Sequence, residues 1–156
     1  MGPASFEVCG RVFMSFSHSG ATYREGSALQ GLELSGVRTL VVDDLRAASQ
    51  TLSWALELLG LDVRTASDGE SALQEALTFK PQIILLDIGM PGMNGFEVCR
   101  RLRSIPATAS AIVVAQTGWG HSEFVKRAMD VGFDDHMVKP IDIGRLRERL
   151  LQLLAK

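Results

Sequence analysis

The sequence predicts an α/β fold: a five-stranded parallel sheet with helices on both faces. Two observations lead to this prediction. From residue 37 onward, short apolar segments alternate five times with segments whose apolar residues recur at helical spacing. The apolar segments contain few polar residues, which is typical of strands that are buried on both faces of a parallel sheet. The alternation leaves the order of the strands in the sheet open.

The elements follow one another along the chain in five β-α units. We predict strands at residues 37–42, 61–66, 83–87, 111–115 and 133–138. The apolar residues predicted to face inward from the five helices are Ala48, Leu52, Ala55, Leu56 and Leu59; Ala72, Leu73, Ala76 and Leu77; Phe96, Cys99 and Leu102; Val125, Ala128 and Met129; and Ile143, Leu146, Leu150 and Leu153.

Residues that favour helix ends indicate where these helices begin and stop. The predicted N-terminal caps are Ser67 in a capping box with Glu70, Asn94, Ser122 and Asp142. Gly60 and Gly132 are predicted to end the first and fourth helices. The third helix is predicted to end before Pro106, because the residue before a proline disfavours helical geometry.

Size and composition suit one globular domain. The chain has 156 residues, of which 46% are hydrophobic and 22% charged, so it can form a packed core. A formal charge of -2 gives no reason to expect nucleic acid or an anionic membrane as a partner. The apolar runs are far shorter than the roughly 20 residues that span a bilayer, and residues 1–20 do not resemble a signal peptide. Cys9 and Cys99 lie outside any CxxC pair, which favours packing thiols in a reduced, cytoplasmic protein.

The first 36 residues differ from the rest of the chain. They are rich in Gly and Ser and show no sustained apolar period. We interpret residues 1–36 as an N-terminal extension or linker of unknown role, and residues 37–156 as the folded domain.

Polar side chains stand at the C-terminal ends of four of the five predicted strands: Asp43 with Asp44, Asp87, Thr117 and Lys139. Parallel strands bring these ends to one edge of the sheet, where α/β proteins bind their ligands. Each motif alone has an ordinary interpretation as a helix cap, a turn or a loop. Their joint placement favours a functional site.

The chemistry of these side chains indicates phosphoryl transfer. Three carboxylates in one crevice repel each other unless a cation neutralises them, and Mg²⁺ prefers such oxygen ligands. A lysine and a hydroxyl nearby suit the oxygens of a phosphoryl group. We therefore predict Mg²⁺-dependent phosphoryl transfer to a carboxylate. Asp87 is the first candidate because it directly follows the buried apolar run Ile83–Leu86.

Four segments carry a resemblance to a known family: Val41-Val42-Asp43-Asp44, Leu85 to Gly95 (LLDIGMPGMNG), Thr117-Gly118 and Val138-Lys139-Pro140. From about residue 36 onward, the chain resembles the receiver domain of two-component response regulators. The intervals of 30 positions from Asp87 to Thr117 and of 52 from Asp87 to Lys139 are also typical of that family. The resemblance implies a flavodoxin-like (βα)5 receiver fold with strand order 2-1-3-4-5. The residues of these motifs are similar to those of receivers attached to hybrid histidine kinases.

The resemblance implies a role for each residue at the strand ends. Asp87 would accept a phosphoryl group from a phosphohistidine of a sensor histidine kinase or a histidine phosphotransfer protein. Asp43, Asp44 and Asp87 would hold Mg²⁺, with the backbone carbonyl of Gly89 completing the metal site. Lys139 would pair with the phosphoryl oxygens.

Thr117 and His136 would form the switch of such a domain. Thr117 would hydrogen-bond the phosphoryl group and pull its loop inward, a movement that the family couples to an aromatic residue three positions before the lysine. His136 takes that position in place of the usual Tyr or Phe, and acts either as a pH-sensitive group or as a plain ring. Gly89 and Trp119 would flank the access of water to the phosphoryl group. The bond before Pro140 is often cis in the family.

A receiver catalyses its own phosphorylation and dephosphorylation and is not an enzyme acting on a separate substrate. Its output would be contact with a downstream protein target through the helices near residues 122–131 and 142–154, without nucleic acid or membrane insertion. We expect a stand-alone receiver, a phosphorelay intermediate or a receiver from a larger kinase.

Two other classes of protein compete with this interpretation. A phosphatase with an aspartate nucleophile would need a second acid two residues after Asp87, where Gly89 stands. A nucleotide-binding protein would need a GxGxxG or GxxxxGK[ST] loop, which the sequence lacks.

Overall fold

The structure is a computed structural model, which describes residues 34–118, 120 and 122–156. Within this part of the chain, five strands alternate with five helices, as predicted. The elements are β1 Arg38–Val42, α1 Arg46–Leu58, β2 Asp62–Ala66, α2 Gly69–Phe79, β3 Ile83–Asp87, α3 Gly95–Ser104, β4 Ile112–Thr117, α4 Ser122–Val131, β5 Asp135–Val138 and α5 Ile143–Leu154. Cys9, Trp119 and almost all of the predicted extension lie outside the described residues.

The strands form one parallel sheet in the order β2-β1-β3-β4-β5. This confirms the fold class and the strand order that the family resemblance implies. The chain leaves β1 toward β2 on one side and returns to β3 on the other, so the strand order reverses between β1 and β3. Open α/β sheets bind ligands in the crevice at such a reversal. Asp43 follows β1 and Asp87 ends β3, so both acids stand at this crevice.

Both faces of the sheet are buried, because successive residues of a strand point to opposite faces. Leu40, Val42, Ile84 and Leu86 pack on one face beneath α2, α3 and α4. The opposite face, which includes Val41, packs beneath α1 and α5. This arrangement explains why the apolar run before Asp87 has no polar interruption.

Most of the predicted helix ends agree with the structure. The side chains of Asn94 and Asp142 each accept a hydrogen bond from a backbone N–H in the first turn of the following helix. Gly60 and Gly132 have φ values of +93° and +119°, a left-handed conformation that suits glycine at a helix end. The helix before Pro106 ends at Ser104, as predicted.

Two predicted caps are wrong. The N-cap of α2 is Asp68, whose side chain accepts from the Ser71 N–H in a capping box, so the helix begins one residue later than Ser67 implies. A carboxylate accepts this bond with a full charge, which favours Asp68 as the cap. Ser122 is the first residue of α4 and not its cap.

The prediction that Leu77 and Met129 face inward is also wrong. Their side chains are 44% and 48% exposed. Each follows a buried alanine, Ala76 or Ala128, and successive helical residues differ by about 100° around the axis. The helices present those alanines to the sheet, which turns Leu77 and Met129 toward solvent.

The cysteine prediction is confirmed for Cys99, which is buried and free. Burial raises the pKa of its thiol to about 11, so it stays protonated and packs as a small apolar group. Among the residues that the structure describes, no helix has both the length and the apolar character needed to cross a membrane.

Candidate functional site

The candidate site lies at the edge of the sheet where the parallel strands end. Asp43 follows β1, Asp87 and Thr117 are the last residues of β3 and β4, and Lys139 follows β5. Asp43, Asp44 and Asp87 each present a carboxylate oxygen within 4.8 Å of the other two. The structure therefore brings together side chains that are up to 96 positions apart in the sequence.

Lys139 lies between two of these carboxylates. Its Nζ donates a hydrogen bond of 2.7 Å to Asp43 Oδ2 and lies 3.4 Å from Asp87 Oδ2. The backbone N–H of Lys139 donates to the carbonyl of Thr117 at 2.7 Å, which ties the end of β5 to the end of β4. The bond between Lys139 and Pro140 is cis.

The second oxygen of each carboxylate accepts a backbone hydrogen bond. The N–H of Leu45 donates to Asp43 Oδ1 at 2.9 Å, and the N–H of Gly89 donates to Asp87 Oδ1 at 3.0 Å. Both bonds link residues two positions apart, so the turn after each strand orients the acid. The two Oδ2 atoms are left to face Lys139. The role of the Gly89 carbonyl as a metal ligand stays a prediction.

Burial and neighbouring charges shift the pKa values of Asp87 and Lys139. Burial raises the pKa of Asp87, and the negative charge of Asp43 adds to the effect, against the Gly89 N–H and the Lys139 ammonium. For Lys139, burial favours the neutral amine, but the hydrogen bond to Asp43 and the charges of both acids outweigh it and raise the pKa. Lys139 is therefore held as a cation, while Asp87 is more basic than an ordinary carboxylate.

The three acids fit a hard divalent cation. Asp43 and Asp87 are buried and Asp44 is exposed, so the cluster is buried on one side and open to solvent on the other. Mg²⁺ binds through one or two carboxylates and keeps several waters, which suits such a half-open set of oxygens. Lys139 supplies one positive charge against the two negative charges of the buried acids Asp43 and Asp87. The site can therefore accept a further cation.

A cleft of about 280 Å³ opens beside Asp87. Thr117 lines this cleft, as the predicted role in contacting a phosphoryl group requires. Asn94, Phe124 and Arg127 also line it, although no prediction from the sequence included them as site residues. The only sequence feature that could have indicated Phe124 and Arg127 is their spacing of three, which places both on one side of the helix that follows β4.

His136 lies apart from this cleft. It is half-buried on β5, with Nδ1 4.0 Å from Asp135 Oδ1, and it lines a separate depression with Arg145 and Arg149. The structure therefore brings Asp43, Asp44, Asp87, Thr117 and Lys139 together, whereas His136 lies outside this group, on the edge strand β5. The switching role of His136 stays a prediction, and Trp119 lies outside the described residues.

A doubly wound parallel sheet with an acidic cluster, a lysine and a threonine at its C-terminal edge defines a narrow class of α/β domains. The family model for the response regulator receiver domain matches residues 39–151. This chain belongs to that family.

Curated relatives support the assignment over the same region. The DNA-binding dual master transcriptional regulator RpaA of Synechocystis is 36% identical over 119 residues, which cover 76% of this chain and 49% of that protein. The response regulator PleD of Caulobacter vibrioides is 40% identical over 116 residues, covering 74% of this chain and 26% of that protein. The chain thus spans about half or less of the length of these relatives.

Solved structures agree with the fold. The chemotaxis protein CheY4 of Vibrio cholerae superposes with a TM-score of 0.72 at 29% identity, covering 76% of this chain and 98% of that one. The receiver domain of a signal transduction histidine kinase from Syntrophus aciditrophicus superposes with a TM-score of 0.70 at 27% identity, covering 77% of this chain and 91% of that one.

Proposed function

We propose that this chain is a phospho-accepting receiver in which Asp87 takes a phosphoryl group from a phosphohistidine of a sensor histidine kinase or a histidine phosphotransfer protein. The observation that carries the proposal is the position of Asp87: a buried carboxylate 3.4 Å from the Lys139 ammonium, at a cleft that Thr117 also lines. Membership in the receiver family supports the same role.

The proposed transfer forms one bond and breaks one. An oxygen of the Asp87 carboxylate attacks phosphorus, the phosphorus–nitrogen bond breaks, and its electron pair returns to the imidazole of the donor. Lys139 and Thr117 would then hydrogen-bond the oxygens of the phosphoryl group. Hydrolysis of the product returns the carboxylate and inorganic phosphate.

Asp43, Asp44 and Asp87, with the carbonyl of Gly89, would hold Mg²⁺ in this proposal. When bound, the ion would neutralise negative charge on the phosphoryl oxygens. The proximity of the three carboxylate oxygens supports the assignment. The turns that follow β1 and β3 orient Asp43 and Asp87, because each carboxylate accepts a backbone N–H from the residue two positions later.

Phosphorylation of Asp87 would change a surface that a downstream protein contacts. Thr117 ends β4, directly before the segment that leads into α4, and His136 lies on the neighbouring β5. A movement of Thr117 toward the phosphoryl group would therefore shift α4 and its surroundings. The protein would act on its own aspartate and on no separate substrate. A cytoplasmic location and the absence of a nucleic-acid partner stay predictions.

A second candidate is a receiver of a hybrid histidine kinase that passes its phosphoryl group on. The similarity to the receiver domain of a signal transduction histidine kinase from Syntrophus aciditrophicus favours it. The two candidates differ in the direction of transfer. A phosphorelay intermediate would transfer the group from Asp87 to the histidine of a phosphotransfer protein, whereas a terminal receiver would lose it mainly to water.

Labelling with acetyl phosphate and Mg²⁺ tests the proposal. Wild type should gain one phosphoryl group by intact-mass analysis, and chelation of Mg²⁺ should prevent the gain. Asp87→Asn should gain none. Asp130→Asn, which removes an exposed acid of α4, should be labelled like wild type. Labelling of Asp87→Asn to the level of wild type would show that Asp87 is not the acceptor.

A further inference from the structure

Arg127 is a cation at the Asp87 cleft to which neither the family motifs nor the proposed transfer assigns a role. Its guanidinium carbon lies 4.4 Å from the centroid of the Phe96 ring, so the planar group is held over the aromatic face. Arg127, Phe96, Asp87 and Thr117 all line the same cleft. Arg127 thus brings its positive charge to the cleft from α4, whereas Lys139 enters the site from the end of β5.

Arg127 has no acidic partner in the described part of the chain. Arg103 and Arg149 bind Asp134 and Asp135 at 2.8 and 2.7 Å. By contrast, within residues 34–118, 120 and 122–156, no carboxylate lies within 4.0 Å of the Arg127 guanidinium, which lies over the Phe96 ring. Exposed cation–π contacts are weak compared with charge-assisted hydrogen bonds. An exposed guanidinium that lies over a ring can therefore leave it to bind an anion nearby.

Phosphorylation would create such an anion in the cleft. A phosphoryl group carries a charge of about -1.5 to -2 near neutral pH, more than the carboxylate it modifies. Lys139 already divides its single charge between Asp43 and Asp87. With Mg²⁺ bound, the ion and Lys139 would supply about +3 against about -3.5 to -4 from Asp43, Asp44 and the phosphoryl group, so the modified site would keep excess negative charge.

We propose that Arg127 is a phosphoryl-binding residue, which leaves the Phe96 ring and binds the phosphoryl group on Asp87. The inference rests on the proposed function, since it needs Asp87 to be the acceptor. Arginine suits this role because its planar group donates two parallel hydrogen bonds to phosphoryl oxygens. The contact would tie α4, which carries Arg127, directly to the state of Asp87, in addition to the movement of Thr117.

Binding of beryllofluoride, a stable mimic of the phosphoryl group, tests the inference in the full chain with Mg²⁺. The half-saturating concentration is measured from the amide NMR shifts of Thr117 and Gly118. Arg127→Gln should raise it by about tenfold, as expected for loss of a charge-assisted contact, and Arg127→Lys should give an intermediate value. The matched control is Lys126→Gln, which removes the same charge from the adjacent, exposed position on α4.

A second measurement needs no substitution. The Nε–H resonance of Arg127 in wild type should shift when beryllofluoride binds, because the guanidinium exchanges a ring for an anion. Equal affinities of Arg127→Gln and Lys126→Gln, or an Arg127 resonance that does not move at saturation, would overturn the inference while leaving Asp87 as the acceptor. Failure of wild type to bind beryllofluoride and to be labelled by acetyl phosphate would overturn the proposed function itself, and this inference with it.

Discussion

Lys139 binds Asp43 more closely than it binds Asp87: its Nζ lies 2.7 Å from Asp43 Oδ2 and 3.4 Å from Asp87 Oδ2. The ammonium therefore forms a short ion pair with the acid that is proposed to hold the metal. The longer contact leaves Asp87 Oδ2 less tightly engaged. One cation thus reduces the repulsion between two buried acids without blocking the proposed nucleophile.

Lys139→Met should destabilise the metal-free protein by about 1–3 kcal/mol, because two buried carboxylates lose their shared cation. Mg²⁺ should then raise the melting temperature of Lys139→Met more than that of wild type, since the ion replaces the missing charge and binds only the folded state. Thermal unfolding with and without MgCl₂ measures both effects. Lys126→Met, at an exposed position, is the control. A melting temperature equal to that of wild type in the absence of Mg²⁺ would contradict the prediction.

Gly95→Ala should destabilise the protein by about 2–4 kcal/mol. A Cβ at Gly95 would lie 2.5 Å from the carbonyl oxygen of Asp87 and 2.7 Å from the Cα of Ile88, both backbone atoms that cannot turn away. The first turn of α3 can approach the acceptor strand this closely only without a side chain. Urea unfolding measures the loss, and acetyl phosphate labelling should slow because Asp87 is displaced.

Gly118→Ala is the matched control for that substitution. Among the described residues, no atom lies within 4 Å of the position that a Cβ at Gly118 would take, although this glycine also lies at the site. Its free energy of unfolding should stay close to that of wild type. If Gly95→Ala were as stable as Gly118→Ala, α3 would not approach the backbone of Asp87 as closely as described.

The positions of Asp43, Asp87 and Lys139 could be predicted from the sequence because they depend on topology alone. Once the strands are parallel, every residue at a C-terminal strand end comes to the same edge, whatever the details of packing. The family resemblance added the strand order, which no periodicity contains. The distances around Lys139 could not be predicted, because they depend on how the last residues of β5 meet β4.

Arg127 was not predicted for a different physical reason. An arginine on an amphipathic helix is usually on the solvated face, and the helical period does not say which edge of that face meets a cleft. The same limit explains Leu77 and Met129, since a rotation of the helix by one residue exchanges buried and exposed positions. Contacts that depend on helix rotation are therefore visible only in three dimensions.

Arg103→Met should destabilise the protein by about 2–4 kcal/mol. The guanidinium donates to the carbonyls of Gly132, Ala109 and Ala111 at 2.9, 2.7 and 2.6 Å and binds Asp134 at 2.8 Å. It thereby joins α3 to the chain before β4 and to the turn before β5, and methionine would fill the space without satisfying these acceptors.

Arg101→Met is the control for Arg103, because Arg101 lies on the same helix and, among the described residues, its side chain forms exposed ion pairs with Glu97 and with Glu70 of α2. Its loss should cost less than about 1 kcal/mol, as is usual for surface pairs. Chemical denaturation of both variants measures the difference. Equal stabilities of the two variants would show that the carbonyl contacts of Arg103 contribute nothing beyond a surface charge.

The ion pair of Asp135 with Arg149 should make stability depend on pH in the acid range. Burial alone would raise the pKa of Asp135, but the Arg149 guanidinium at 2.7 Å and the His136 backbone N–H outweigh it and hold the pKa below the ordinary value of 3.8. A carboxyl with a depressed folded-state pKa stabilises the protein above its unfolded-state pKa, and this contribution is lost as pH falls through the folded-state value.

Arg149→Gln should therefore lower the free energy of unfolding by about 1 kcal/mol at neutral pH, a small effect because the guanidinium is half exposed. The difference from wild type should shrink as pH falls below 3.8, where Asp135 becomes protonated in the unfolded chain and then in the folded protein. Urea unfolding at a series of pH values measures the two curves. Arg145→Gln removes a charge one turn earlier on α5, and its curve should stay parallel to that of wild type. A gap between wild type and Arg149→Gln that keeps its full size at the lowest pH would show that the pair does not set the pKa of Asp135.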